Sequence, residues 1–388
     1  MSEALSQGPL FLACLILMLG VVVIVHELGH YLAGRAFGAA SESFSVGFGK
    51  SIFERTDSRG TRWRINWVPL GGFVKFVGEA QGPADVGKIE QGPIGKPYND
   101  LSVGQRSIVA MAGPAANFLL AIVLFAIIAL VEGSQRERVI IDTVGEGTPA
   151  AAAGFQTGDV ITSISGRTVE NVSDFLPRIQ LGSGKETPVV IERGGAEMTI
   201  TVIPERTMRQ NAVGQRVSMG TIGAGLKREP LERKRYNPVT AVGAGVSETL
   251  STIDLTTWML GRMIMGQEPL NNLTGPVGIG DTTRRVVKSA VDATHVPLSV
   301  RVQYVVVTII KICALVSVGI GFFNLLPLPV LDGGHLVFNA YEAIAGKALP
   351  AKVQEASLTV GLVLLLGMVV FVTWGDIIET GIFQSVGS

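Results

Sequence analysis

Two imidazoles and a carboxylate stand within five consecutive residues, His26, Glu27, Leu28, Gly29 and His30. On a helix, positions i and i+4 share a face, so both rings can bind one zinc ion while Glu27 reaches the water held there. With 4 histidines and at most 32 glutamates among 388 residues, independent placement yields about 0.003 such patterns, which makes chance a poor explanation. The bland alternative is a pair of histidines capping a membrane helix at its polar interface, but an ionisable cluster at membrane depth is a functional site by default. A catalytic zinc takes three protein ligands and keeps one position open. The other histidines are His295 and His335. A second cluster, Asn324 to His335, holds two prolines, Asp332 and His335, and by spacing alone either Asp332 or His335 can complete the set.

The elements that must position these groups are apolar. Charged residues are 16% of the chain and hydrophobic residues 47%, with mean hydropathy +0.41, well below the charge of an ordinary soluble domain. The excess lies in four uncharged runs, Pro9–Val25, Ser107–Val131, Ile312–Leu331 and Ala356–Gly375, of 17, 25, 20 and 20 residues. Each is near the length that crosses a bilayer as a helix, so four transmembrane helices are predicted. The first lacks a basic segment before it and reads as a helix rather than a cleaved leader. Pro327 and Pro329 should stop the third and leave Asp332 on unwound backbone, which membrane depth tolerates only inside protein or water. The 32 Lys+Arg and 32 Asp+Glu balance, so the chain lacks the basic face of a nucleic-acid binder, and Cys14 and Cys313, both in apolar runs, read as packed thiols.

The stretches between the runs differ. Gly34–Arg106 is Gly-rich, and Trp63 to Val77 reads as a β-hairpin whose strands flank a Gly71-Gly72 turn and are apolar enough to touch lipid. From Glu132 the composition is that of a soluble domain. Val139–Ile141, Val160–Ile164, Val189–Glu192 and Met198–Ile203 are strand-like, Arg193 to Ala196 is a hairpin turn, and Ser173-Asp174 opens a short helix. Strand alternation is lost from Pro204. Pro238–Met265 carries helical periodicity and predicts amphipathic helices on a membrane or on the small domain.

Together, His26–His30, Gly47–Lys50, Pro69–Lys75, Ala112–Phe118 and Asn324–His335 resemble the site-2 protease family of zinc intramembrane metalloproteases, most closely its bacterial RseP branch, across nearly the whole chain. The resemblance implies that Asp332 is the third ligand beside His26 and His30, that Zn2+ is the cofactor and that Glu27 is the general base. It further implies that Asn324 and Asn117 lie at the substrate, and that the hairpin, through Gly71, Phe73, Val74 and Phe76, pairs with an unwound substrate strand. Glu146 to Ile161 resembles a PDZ signature, with room for one such domain.

The fold class expected is therefore a polytopic α-helical membrane protein with about four transmembrane helices, a membrane-associated β-hairpin and an inserted periplasmic PDZ-like α+β domain. Its parts are an N-terminal membrane part at 1–137, a PDZ domain at 138–205, an amphipathic, membrane-associated periplasmic segment at 206–300 and a C-terminal membrane part at 301–388. The activity implied is site-2 cleavage, within the bilayer, of single-pass transmembrane proteins already trimmed by an upstream site-1 protease, such as anti-sigma-factor-like proteins and remnant signal peptides. Ten Lys/Arg between Gly34 and Arg106 put that loop inside by the positive-inside bias. The PDZ and both termini are then periplasmic, and the active site lies toward the cytoplasmic side of a bacterial inner membrane. Two rivals are a membrane scaffold with a PDZ module and a structural metal, and a transporter using the same ligands. A structural metal needs no glutamate base, and four helices without an internal repeat are unlike many transporters.

Overall fold

Long apolar runs fold as helices in a bilayer because only there does each backbone group find its partner within the segment. In the computed structural model, which describes residues 2–78, 92–134, 136–210, 216–231, 233–266, 283, 285, 288–293 and 295–379, the elements follow one another as α1 (Ser2–Ala36), β1 (Ser41–Thr56), β2 (Arg62–Phe76), α2 (Val103–Glu132), β3 (Glu137–Val144), α3 (Pro149–Ala153) and β4 (Val160–Ile164). After β5 (Arg167–Thr168) come α4 (Val172–Leu181), β6 (Thr187–Arg193), β7 (Ala196–Val202), β8 (Glu205–Gln210), β9 (Arg216–Thr221) and β10 (Ala224–Pro230). The chain closes with α5 (Pro238–Ile264), α6 (Leu298–Asn324), α7 (Asp332–Ala345) and α8 (Ala351–Glu379). Two compact units result, residues 1–128 with 240–388, and residues 129–239. Thr274–Ile279, which also resembles an element of the site-2 protease family, lies outside the described residues.

In the first unit, four stretches are long and apolar enough to cross a membrane: Ile16–Ala36, Val103–Glu132, Leu298–Asn324 and Lys352–Gly375. Leu119, Val123 and Val363 each expose more than half of their surface, as lipid-facing positions do. The first stretch runs on past the uncharged Pro9–Val25, so His26 and His30 lie inside the helix. The third is a correction to the expected Ile312–Leu331. Its helix begins earlier, taking in Arg301 and Lys311, and stops at Asn324. Pro327 and Pro329 cannot donate to it, and residues 325–331 fold as turns closed by Leu328 N–H to Leu326 O at 2.7 Å and Leu331 N–H to Leu328 O at 2.9 Å.

The hairpin across Trp63–Val77 is redrawn. Ser43–Val46 run alongside Arg62–Ile65 and against Gly72–Lys75, so β2 reverses between Asn66 and Gly72, but its two arms flank β1 instead of pairing with each other; a further reversal at residues 57–61 joins β1 to β2. Thr56 to Ser51 pair with Arg62 to Asn66, while the first part of β1 pairs on one side with Arg62–Ile65 and on the other with Gly72–Lys75. The hairpin therefore curls into a sheet of four segments, with residues 72–76 along one edge. Gly71 has φ +96°, and a Cβ there would meet the Phe48 ring at 2.6 Å, so its lack of a side chain serves both the reversal and a close approach.

α5 is one helix, and one side of it packs against other helices of the first unit. A Cβ on Gly245 would sit 2.3 Å from Ile122 O of α2. Ile253 packs against Ala121, Phe125, Ala314 and Val318, which belong to α2 and α6. One side of α5 is thus covered by helices of the same unit, while Val242, Val246 and Leu250 stay exposed.

The second unit holds a sheet in the order β10-β3-β4-β6-β7, with β5 on β4, and the separate β8-β9 pair. Arg193 faces Ala196 across the predicted hairpin turn. Asn171 and Asp174 form a capping box at the start of α4, each satisfying a helix donor that would otherwise be orphaned. Phe175 and Ile179 turn inward onto Ile141, Ile164, Val189 and Ile191, and burying each such side chain contributes about 1.5–3 kcal/mol. Strand structure does not stop at Pro204, as expected; it continues to Pro230, where β10 pairs with β3 from Ala224↔Val144 to Pro230↔Glu137.

Candidate metal centre

One turn of α1 separates His26 from His30, and their Nε2 atoms lie 3.2 Å apart with the rings edge to face. Asp332 opens α7 and brings its carboxylate against both, Oδ2 at 3.1 Å from His26 Nε2 and Oδ1 at 3.4 Å from His30 Nε2. Among the described residues, these three form the group whose ligand atoms lie within 4.8 Å of one another. His335 lies three residues further along α7 and turns its ring edge toward Phe338.

The donor set fits zinc. Zinc takes imidazole nitrogens and carboxylate oxygens, and here the two Nε2 atoms stand 3.2 Å apart, each within 3.4 Å of one oxygen of Asp332. Asp332 Oδ2 is buried without a hydrogen-bond partner, the state of a carboxylate oxygen that a cation would satisfy. The far side of each ring is held as well. His30 Nδ1 donates to Val109 O at 2.8 Å, which leaves Nε2 its lone pair. Asn117 Nδ2 lies 3.2 Å from His26 Nδ1; turning the amide over brings its Oδ1, which lacks a partner as placed, to accept the Nδ1 proton instead. Ser317 in turn donates to Asn117 O at 2.8 Å. Gly113 makes room for all of this, since a Cβ there would stand 2.2 Å from His30 Nε2.

Glu27 points to the β-sheet, and its Oε2 accepts the Val74 N–H at 3.0 Å. That bond ties the carboxylate to the edge segment of β2. The sheet is fastened to α1 a second time by Asp57, which accepts from Arg35 at 3.1 Å, from Trp63 Nε1 and Tyr31 Oη at 3.3 Å and from the Thr61 N–H at 3.0 Å.

The expected substrate residues are placed unequally. Phe73 stacks on Phe48 at 6.2 Å and Val74 touches Glu27, while Asn324 ends α6. Asn117 is wholly buried and braces a histidine rather than facing a groove. Phe76 is a core residue, 3% exposed and stacked on Tyr98, which corrects its assignment to a substrate surface. Gly113 was legible in the Ala112–Phe118 motif, but the Val109 carbonyl is backbone and leaves no mark in the residue types.

A sequence profile described as peptidase family M50 matches residues 14–368. Metalloprotease MmpA of Caulobacter vibrioides is 37% identical across 97% of this chain and 98% of its own length. A protein of Agrobacterium fabrum named "Putative zinc metalloprotease Atu1380" is 36% identical across 93% of this chain and 94% of its own. Apolar helices, a two-histidine, one-aspartate centre and these relatives define a membrane zinc metalloprotease. The chain belongs to peptidase family M50, the site-2 proteases. The PDZ domain of the SdrC-like protein Lmo2051 of Listeria monocytogenes aligns with 23% of this chain and 86% of its own, at 22% identity and TM-score 0.18; the second unit's fold stands on its own strand order.

Proposed function

We propose that this zinc metalloprotease is an intramembrane endopeptidase that performs site-2 cleavage of single-pass transmembrane proteins, with His26, His30 and Asp332 as ligands and Glu27 as general base. The observation that carries the reading is the convergence of these four side chains, three on the membrane-length α1 and Asp332 at the head of α7, just past the unwound 325–331 segment. Zinc, when bound, supplies Lewis-acid polarisation of a carbonyl and makes water acidic enough to lose a proton near neutrality. Glu27 takes that proton, with Oε2 anchored by Val74 and Oε1 left to hold it, and passes it to the leaving amide nitrogen. Water's hydroxyl ends on the carbonyl carbon and its proton on the new amine.

A transmembrane substrate is helical, so its carbonyls are bonded until it unwinds. The edge of β2 at residues 72–76 offers strand pairing to the unwound stretch, and the Val74–Glu27 bond supports that edge as the one addressed to the chemistry. Substrates of this kind are anti-sigma-factor-like proteins and remnant signal peptides after an upstream site-1 protease has trimmed them. The membrane is the bacterial inner membrane, with the β-sheet and the centre toward the cytoplasm and the second unit and both termini in the periplasm. The second unit is a PDZ-like module that excludes untrimmed substrates. A scaffold with a structural metal leaves Glu27 without a task.

The decisive experiment compares wild type with Glu27→Gln in cells and in detergent. Membrane proteins should accumulate as trimmed fragments in the variant alone, while its zinc content equals wild type; equal fragment patterns would refute the protease reading. Ser58→Cys and Lys185→Cys, probed with a membrane-impermeant thiol reagent, test the orientation, since only the second should react from the periplasm.

A further inference from the structure

Asp332 reaches the two histidines from a different part of the chain, and its ligand atoms must stay within a few tenths of an ångström of their places. It has little local support for that. It is the first residue of α7 and follows seven non-helical residues, and the residue before it makes no side-chain cap. α7 is 14 residues long, and at its other end Glu342 Oε1 meets Arg106 Nη2 at 2.6 Å, with the two side chains only 22% and 15% exposed. This ion pair joins residues 236 apart and is too sheltered to be a solvated surface contact.

The partner helix explains why the pair is placed there. Arg106, Val109, Gly113 and Asn117 follow one another at spacings of three, four and four, which puts them on one stripe of α2. From that single stripe Asn117 meets His26, Val109 and Gly113 meet His30, and Arg106 meets the helix that carries Asp332. One rigid helix therefore touches the mounting of all three ligands.

We infer that Arg106 and Glu342 form a positioning clamp, which sets the register of α7 against α2 and so the approach of Asp332 to His26 and His30. Neither residue touches the centre; both act through α7. The inference rests on the ligand assignment proposed above. Losing a group that orients a ligand from outside the coordination shell costs about 10–100-fold in metal affinity, and that is the size of effect expected here.

The test uses the full chain in detergent, with zinc affinity measured by chelator competition well below the unfolding temperature and Co2+ as a spectroscopic substitute. Arg106→Ala and Glu342→Ala should each weaken zinc binding about 10–100-fold and alter the Co2+ visible spectrum. Combining them should cost no more than either alone, because the pair is one contact. The exchange variant Arg106→Glu with Glu342→Arg should recover part of the affinity and the wild-type spectrum, which a general loss of packing would not do. Wild-type affinity and spectrum in both single variants, beside lost binding in Asp332→Ala, would overturn the clamp and leave the ligands as assigned. Retained zinc in Asp332→Ala would overturn both.

Discussion

The amide of Val74 and the carboxylate of Glu27, 47 residues apart, are joined by a 3.0 Å hydrogen bond. Through it the edge of a β-sheet is bonded to the residue beside His26, so in the reaction proposed above one carboxylate would serve both the strand edge and the proton.

Val74→Pro removes that donor and interrupts the edge. A hydrogen bond to a charged group is worth about 1.5–3 kcal/mol, so cleavage of a trimmed substrate should fall about 10–100-fold while zinc content stays at wild type. Val74→Ala keeps the N–H and should keep most of the activity. Equal rates for the proline and alanine variants would show that the edge is only an anchor.

Asp332→Ala should lose both zinc and cleavage. His335→Ala, whose ring lies beside Phe338 and outside the ligand cluster, should keep most of each. Metal analysis of the two purified variants decides between them, and the reverse pattern would exchange the ligand.

Gly113→Ala puts a methyl 2.2 Å from His30 Nε2. Overpacking costs about 1–3 kcal/mol, and here the displaced atom is a ligand, so zinc affinity should drop further than the melting temperature suggests. A variant with wild-type zinc affinity would mean that α1 and α2 separate freely at this level.

In the second unit, Arg193 grips the buried Asp159 through Nε at 2.6 Å and Nη2 at 2.7 Å. Burial alone would raise the Asp159 pKa; Arg193 and the Gln156 N–H overcome it and hold the carboxyl below its ordinary value. A lowered carboxylate pKa contributes stability that is complete above the unfolded value of about 3.9 and is lost as pH falls through the folded one. Hydrogen-exchange protection of β4 and β6 in the whole protein, corrected for the intrinsic exchange rate, should therefore be flat from neutrality to about pH 4 and fall below it. Arg193→Ala leaves the Asp159 carboxylate without its partner and should lower protection at neutral pH; unchanged protection would show that the pair contributes little.

Excising Glu137–Pro230 should allow cleavage of a substrate that has not been trimmed and spare cleavage of the trimmed form. Loss of the trimmed reaction, with zinc and membrane insertion normal, would make the second unit a capture module instead.

What could be seen in the residues follows from how local each signal is. The HExxH pattern needs only one helical turn, and four apolar runs need only the bilayer, so both were legible. The two glycines at 71 and 72 announced a reversal, which the chain makes, but not its neighbours: the first part of β1 lies between the two arms of β2, and that pairing is tertiary. β10 was missed because its partner, β3, begins 87 residues earlier, and short strands rich in Lys, Arg and Gly carry little alternation. The third span was misplaced because charge was taken to end a helix, while Arg301 and Lys311 sit within α6. Pairing of Arg106 with Glu342 is a tertiary fact with no local trace.

Ser134 and Lys234 exchange backbone hydrogen bonds at 2.9 and 3.0 Å, so the chain enters and leaves the second unit through adjacent residues. An insert whose two ends meet this way imposes no spacing on the sequence that flanks it. Such a unit is a cassette: removing or replacing it asks only that the two flanking residues meet again, and the helices that carry His26, His30 and Asp332 keep their own spacing.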